Sequence, residues 1–78
     1  MIKKQLRLVI TFSTTTEAMA MEKMCKTKGL DGRLIPVPKI ITAGCGLAWS
    51  SQPENKDELT EHMLNHSIQP EGMYECLV

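Results

Sequence analysis

The chain predicts an α+β fold with the element order β-α-β-β-α-β. Three observations carry this. Residues 5–12 alternate apolar and polar; two Ser/Thr-led acidic starts each precede apolar residues at helical spacing; and the last six residues alternate again. With 78 residues the chain is expected to form a single domain, 1–78. A chain this short buries only about 60–65% of the surface its unfolded form exposes. That leaves room for one core and one surface site, and little for a deep two-substrate cleft. Apolar content of 42%, with four Pro and five Gly, is too high and too ordinary for a disordered chain.

The first strand spans residues 5–12, with Leu6, Leu8, Ile10 and Phe12 on a single core-facing side. Thr14 followed three residues later by Glu17 is a capping-box pattern, so a helix starts there and runs to about Lys28. Ala18, Met21, Met24 and Cys25 form its apolar stripe. Lys23, Lys26 and Lys28 suit the negative end of its dipole, and Gly29 is a natural stop. Residues 32–38 form a second strand. Pro36 and Pro38 cannot donate to a ladder, so that strand lies at an edge or ends there. A connection leads to a third strand, 45–50, with Cys45, Leu47 and Trp49 on one face. Ser51 with Glu54, and Pro53 in the first turn, predicts a second capping box. That helix runs to about Ser67 with Leu59, Met63 and Leu64 as its buried residues, and Pro70 stops it. The last strand, 73–78, turns Tyr74, Cys76 and Val78 to one face and Met73, Glu75 and Leu77 to the other. Together these give the ferredoxin-like arrangement, a four-stranded antiparallel sheet with two helices on one face. Leu8, Ile10, Met21, Leu47, Leu59 and Met63 are expected in its core.

Composition excludes several functions. Nine bases balance nine acids, so nothing electrostatic calls for nucleic acid or an anionic membrane as partner. Aromatic content of 4% lacks the stacking positions of an RNA-binding sheet. The charges are segregated, with +5 over residues 1–39 and −5 over 40–78, which reads as two solvated helix faces of opposite sign. The start Met1-Ile2-Lys3-Lys4 looks like the basic end of a signal peptide. The apolar stretch after it is broken by Arg7 and is too short for an export signal or a membrane span, so a cytoplasmic setting is expected. The six methionines are expected to fill core.

Three cysteines, Cys25, Cys45 and Cys76, sit 20 and 31 residues apart without CxxC spacing, which argues against a disulfide framework and a zinc knuckle. His62 and His66 stand four apart on one helix, but no companion ligand accompanies them and HExxH is absent, so no metal is expected. There is no phosphate loop, no GxSxG and no forced carboxylate pair, which speaks against a self-sufficient hydrolase or nucleotide enzyme and calls for no cofactor.

Topology narrows the search to one cysteine. The first strand runs up, the helix returns, and the second strand runs up again. The start of the first helix, 13–16, and the connection 36–46 then share one end of the sheet. Cys45 is thereby expected near free backbone N–H groups at a helix N-terminus, a setting that favours the thiolate. Gly44 and Gly46 flank it and leave the sulfur unshielded. The competing expectation is a small buried residue at a strand start. Cys25 and Cys76 fall on apolar faces and are expected to be buried as small hydrophobes.

The residues Phe12-Ser13-Thr14-Thr15-Thr16-Glu17-Ala18, Glu22-Lys23, Gly29-Leu30, Leu34-Ile35-Pro36-Val37-Pro38-Lys39 and Cys45-Gly46-Leu47-Ala48 together resemble the selenium/sulfur carrier protein-like family. This is a group of short bacterial proteins and domains, and the resemblance covers roughly residues 6 to 75. Its most specific piece is Pro-x-Pro-basic followed by Cys-Gly-Leu. The resemblance implies a role near sulfur or selenium metabolism, with Cys45 as carrier position, Lys39 as the basic residue of the loop, and Thr14 and Thr15 at the helix start. It also implies donor and acceptor proteins as partners. Two positions depart from the family pattern. Thr14 stands for a serine and keeps the hydroxyl; Ser50 stands where many members place a basic residue, which leaves Lys39 or Arg33 to hold an anionic cargo. The alternative is a binding or homodimerisation module in which Cys45 is structural.

Overall fold

The computed structural model describes residues 5–38, 41 and 46–77. Four strands, β1 (Leu6–Thr11), β2 (Arg33–Pro36), β3 (Leu47–Ser51) and β4 (Gly72–Leu77), form one sheet in the order β2-β3-β1-β4. Every neighbouring pair is antiparallel. Two helices, α1 (Thr15–Lys28) and α2 (Lys56–Asn65), connect β1 to β2 and β3 to β4. This is the expected α+β ferredoxin-like fold, with β2 at an edge, in keeping with its prolines.

Both helices lie on one face. Ala18, Met21, Met24 and Cys25 of α1 and Leu59 and Met63 of α2 pack with Leu8, Ile10, Phe12, Trp49 and Ile68 into one core. Of the residues expected there, Leu8, Ile10, Met21, Leu59 and Met63 are buried, while Leu47 is partly buried against them. The two basic and acidic helix flanks are solvated as expected: Lys23, Lys26, Lys28, Asp57, Glu58 and Glu61 are exposed. Among the described residues no helix is long and apolar enough to cross a membrane.

α1 begins and ends as its sequence dictates. The Thr14 hydroxyl accepts a bond from the Glu17 N–H at 3.2 Å, and Gly29 closes the helix in a left-handed conformation, φ +69°. The second helix departs from expectation. Ser51 does not cap it: Ser51 ends β3, and its hydroxyl donates to the Asp31 carbonyl at 2.9 Å while accepting from the Asn55 amide at 3.3 Å. A single 3-10 turn, Pro53–Asn55, leads into α2 instead, without a side-chain cap. Leu64, expected in the core, is 75% exposed. It follows Met63 by about 100° around the helix, which turns it off the core-facing stripe. Leu6, the first residue of β1, is likewise exposed.

The expectation that β1 has one core-facing side is also corrected. Val9 and Thr11, on the opposite side from Leu8 and Ile10, are fully buried too. On that helix-free face Val9, Ala48 and Cys76 form a second cluster with Ile41, bordered by Ile35 and Val37. Arg7 adds a polar link there, donating to the Ser50 hydroxyl at 2.8 Å.

One glycine is dictated by packing. Gly32 has φ +136°, and a Cβ there would lie 2.5 Å from Trp49 Nε1 and 2.7 Å from the Ser50 carbonyl oxygen. The Trp49 indole therefore rests directly against backbone, and its buried N–H has no hydrogen-bond partner among the described residues.

Candidate functional site

The candidate site is the end of the sheet where β1 hands over to α1 and β2 hands over to β3. Register defines it: Thr11 pairs with Ala48 on one side and Gly72 on the other, and Pro36 pairs with Leu47. The end of β1, the start of α1, the starts of β3 and β4, and both feet of the β2–β3 connection therefore meet at one end.

The α1 side of this site is built by a buried anchor and an exposed cap. Phe12 is fully buried in the helix-side core, which fixes where the chain leaves β1. Thr14 then adopts an extended conformation, φ −133° and ψ 154°, with its side chain turned back onto Glu17. Of the two bonds of a capping box, the hydroxyl-to-backbone one is formed. Thr14, Thr15 and Thr16 are exposed. The N–H groups of Thr15 and Thr16 precede the first turn's intrahelical bonds, the earliest being Ala18 N–H to the Thr14 carbonyl at 3.2 Å. With the helix dipole they make this end favourable to an anion.

The connection side is pinned at both feet. The Val37 N–H donates to the Gly46 carbonyl at 3.0 Å. Gly46 is exposed with φ +94°, and among the described residues nothing lies within 4 Å of a Cβ placed there, so its backbone conformation favours glycine. Between the feet, the Ile41 N–H donates to the Pro38 carbonyl at 2.9 Å. The Ile41 side chain is 8% exposed and packs on the helix-free face against the Val9, Ala48 and Cys76 cluster. Lys39, Gly44 and Cys45 lie outside the described residues. Of the expected site residues, Thr14, Thr15 and Gly46 are thus brought to one end of the sheet.

The other two cysteines are buried, as their apolar positions predicted. Cys25 is completely enclosed in the helix-side core, and burial pushes its thiol from 9.0 up to about 11. It stays protonated and unreactive at neutral pH. Cys76 is 6% exposed beneath the helix-free face. His62 and His66 gather no further ligands: among the described residues no group of three His, Cys, Asp or Glu side chains could hold a metal ion.

Sequence reasoning missed Ile41. Its only signal was its apolar character, and nothing in a short mixed connection says that such a residue turns inward. It also missed the bond from Ser51 to Asp31, which ties the exit of α1 to the end of β3.

Searches of curated proteins and of solved structures return no match. A family model does match, over residues 7–75, and its description is "Putative Se/S carrier protein-like". The matched stretch contains every element from within β1 to within β4, both feet of the β2–β3 connection and the α1 cap. The chain therefore belongs to that family.

Proposed function

We propose that the protein is a small sulfur or selenium carrier that uses Cys45 as its nucleophile. The observation that carries this reading is family membership across the whole folded unit. The physics of the chain supports it. A carrier needs one accessible thiol and a docking surface, which a fold this small can supply. Cys25 and Cys76 are buried, which speaks against either of them as the exchanging thiol. The capped α1 terminus at the same end as Gly46 offers a positive potential that would favour a thiolate, and Lys39 would add to it.

The transfer balances without a cofactor. The Cys45 thiolate attacks the outer sulfur of a donor protein's persulfide. The new S–S bond forms on Cys45 as the donor S–S bond breaks, and the donor leaves as a thiolate. The acceptor's thiolate repeats the step on the loaded Cys45, and no electrons are gained or lost overall. Thr14, Thr15, Gly44 and Gly46 would surround the loaded atom, and Lys39 would offset its charge.

Intact-mass spectrometry of the protein after exposure to a donor persulfide or perselenide, whose outer atom is already at the level to be transferred, tests this. The expected result is a mass gain of one sulfur or selenium atom on Cys45, lost in Cys45→Ser while the fold is retained. Rapid loading of Cys25 or Cys76, or slow labelling of Cys45 by a thiol reagent at neutral pH, overturns it. Destabilisation by Cys45→Ser would favour the module in which Cys45 is structural.

A further inference from the structure

The two edges of the sheet are built differently. β2 is four residues long, begins with Arg33 and ends on Pro36, which has no N–H to offer. Shortness, charge and proline are the devices that keep an edge strand from pairing with another chain. β4 lacks two of the three and carries a single charge, Glu75. It runs six residues, Gly72–Leu77, without proline or lysine, and among the described residues no strand pairs with its outer side.

Exposed apolar side chains gather at that same edge. The described residues leave five large hydrophobics exposed, and four of them border β4. Tyr74 and Leu77 are on the strand, Leu6 is registered opposite Leu77, and Leu64 is on α2. Leu64 belongs to this edge because Thr60, one turn earlier, meets the Met73 sulfur at 3.9 Å, which turns that flank of α2 toward β4. A strand edge with no partner among the described residues, flanked by apolar side chains on both faces of the sheet, is a template for an added strand.

Charge selects the occupant. Glu71 and Glu75 lie at and on β4, and Asp57 and Glu61 share the α2 flank with Thr60 and Leu64, so that carboxylates outnumber the one cation there, Lys56. A symmetric pairing of two copies through β4 would set these carboxylates against their own copies, which is unfavourable. A segment bearing lysine or arginine meets them favourably. We propose that β4 accepts, as a fifth strand, an extended segment of a partner protein in which apolar and basic residues alternate. Backbone hydrogen bonds would hold the segment, and the apolar strip and carboxylates would select its side chains. This inference stands apart from the chemistry of Cys45.

Amide NMR of the intact protein tests it, with the acetylated and amidated heptapeptide Lys-Val-Lys-Val-Lys-Val-Lys as probe. The expected result is saturable shifts in Gly72–Leu77, none in Arg33–Ile35, and binding at least about tenfold weaker for the Glu-Val counterpart. The surface variants Tyr74→Lys and Leu77→Lys should each weaken the probe's binding while keeping native amide dispersion, and Cys45→Ser should leave it unchanged. Absence of β4 shifts, equal binding of the two peptides, or a dimer of the free protein dissolved by Leu77→Lys would each overturn it, the last by making a second copy the occupant.

Discussion

On the helix-covered face, Leu8, Ile10, Phe12 and Trp49 meet six side chains from α1 and α2 and the anchor Ile68. On the other face, Val9, Ala48 and Cys76 meet Ile41, with Ile35 and Val37 at the border. The first arrangement is redundant, since both helices contribute side chains to it. The second depends on one isoleucine supplied by the connection between β2 and β3. The helix side therefore holds most of the stability. Among the described residues of the candidate carrier loop, Ile41 is the one that anchors it to the open side, so the loop and the fold can be perturbed separately.

The strongest way to break this contrast is at Gly32, where the helix-side core meets backbone. Gly32→Ala places a methyl against the Trp49 indole and the Ser50 carbonyl at a φ that alanine adopts with strain. Overpacking and strain together should cost about 3–4 kcal/mol, most of the stability of a domain this small. Urea denaturation would measure it; a loss under about 1 kcal/mol would mean that Trp49 moves aside freely.

Next in size is Leu59→Ala, which opens a cavity among residues that cannot all collapse into it. A loss of about 3 kcal/mol is expected. Ile41→Ala should lose less, about 2 kcal/mol, because its cluster is smaller and lies beneath the surface. Ile41→Ala should also change the rate at which Cys45 reacts with a thiol reagent, whereas Leu59→Ala should not at temperatures where it is folded. Equal effects of the two variants on labelling would dissolve the distinction between the faces.

Alkaline pH sharpens the comparison through Cys25. Its thiol titrates near 9.0 when unfolded and near 11 when folded, so the unfolded chain releases its proton first as pH rises. The stabilising effect is complete below about pH 9, declines as pH climbs from there toward 11, and is flat beyond. A shift of this size corresponds to a loss on the order of 2 kcal/mol. Cys25→Ala should be less stable at neutral pH yet lose less between pH 9 and 10.5 than the wild type, as read by thermal melts. Parallel profiles for the two proteins would show that the thiol is not the titrating group.

The smallest effect belongs to the site itself. Thr14→Ala removes the α1 cap and should cost about 1 kcal/mol, with Thr14→Ser close to the wild type. If the α1 terminus also assists a thiolate at Cys45, Thr14→Ala should raise the pH midpoint of Cys45 labelling without altering that of a buried cysteine.

What the sequence by itself determined was everything written in local spacing. The Leu8–Ile10–Phe12 alternation, the Thr14 cap, the Gly29 stop and the proline-bearing edge strand each act within a few residues, so their physics is readable along the chain. The end of the sheet shared by the α1 start and Gly46 was legible too, because a β-α-β-β order with antiparallel pairing leaves few alternatives. The tertiary structure alone decided the rest. Ser51 looked like a cap until Asp31, twenty residues earlier, supplied a carbonyl for its hydroxyl. Leu64 looked like core until α2 settled with Leu59 and Met63 inward. Val9 looked like the outer side of a one-sided strand until Ile41 folded over it. Each of these turns on a partner distant in sequence, and residue spacing carries no record of which distant groups a folded chain brings together.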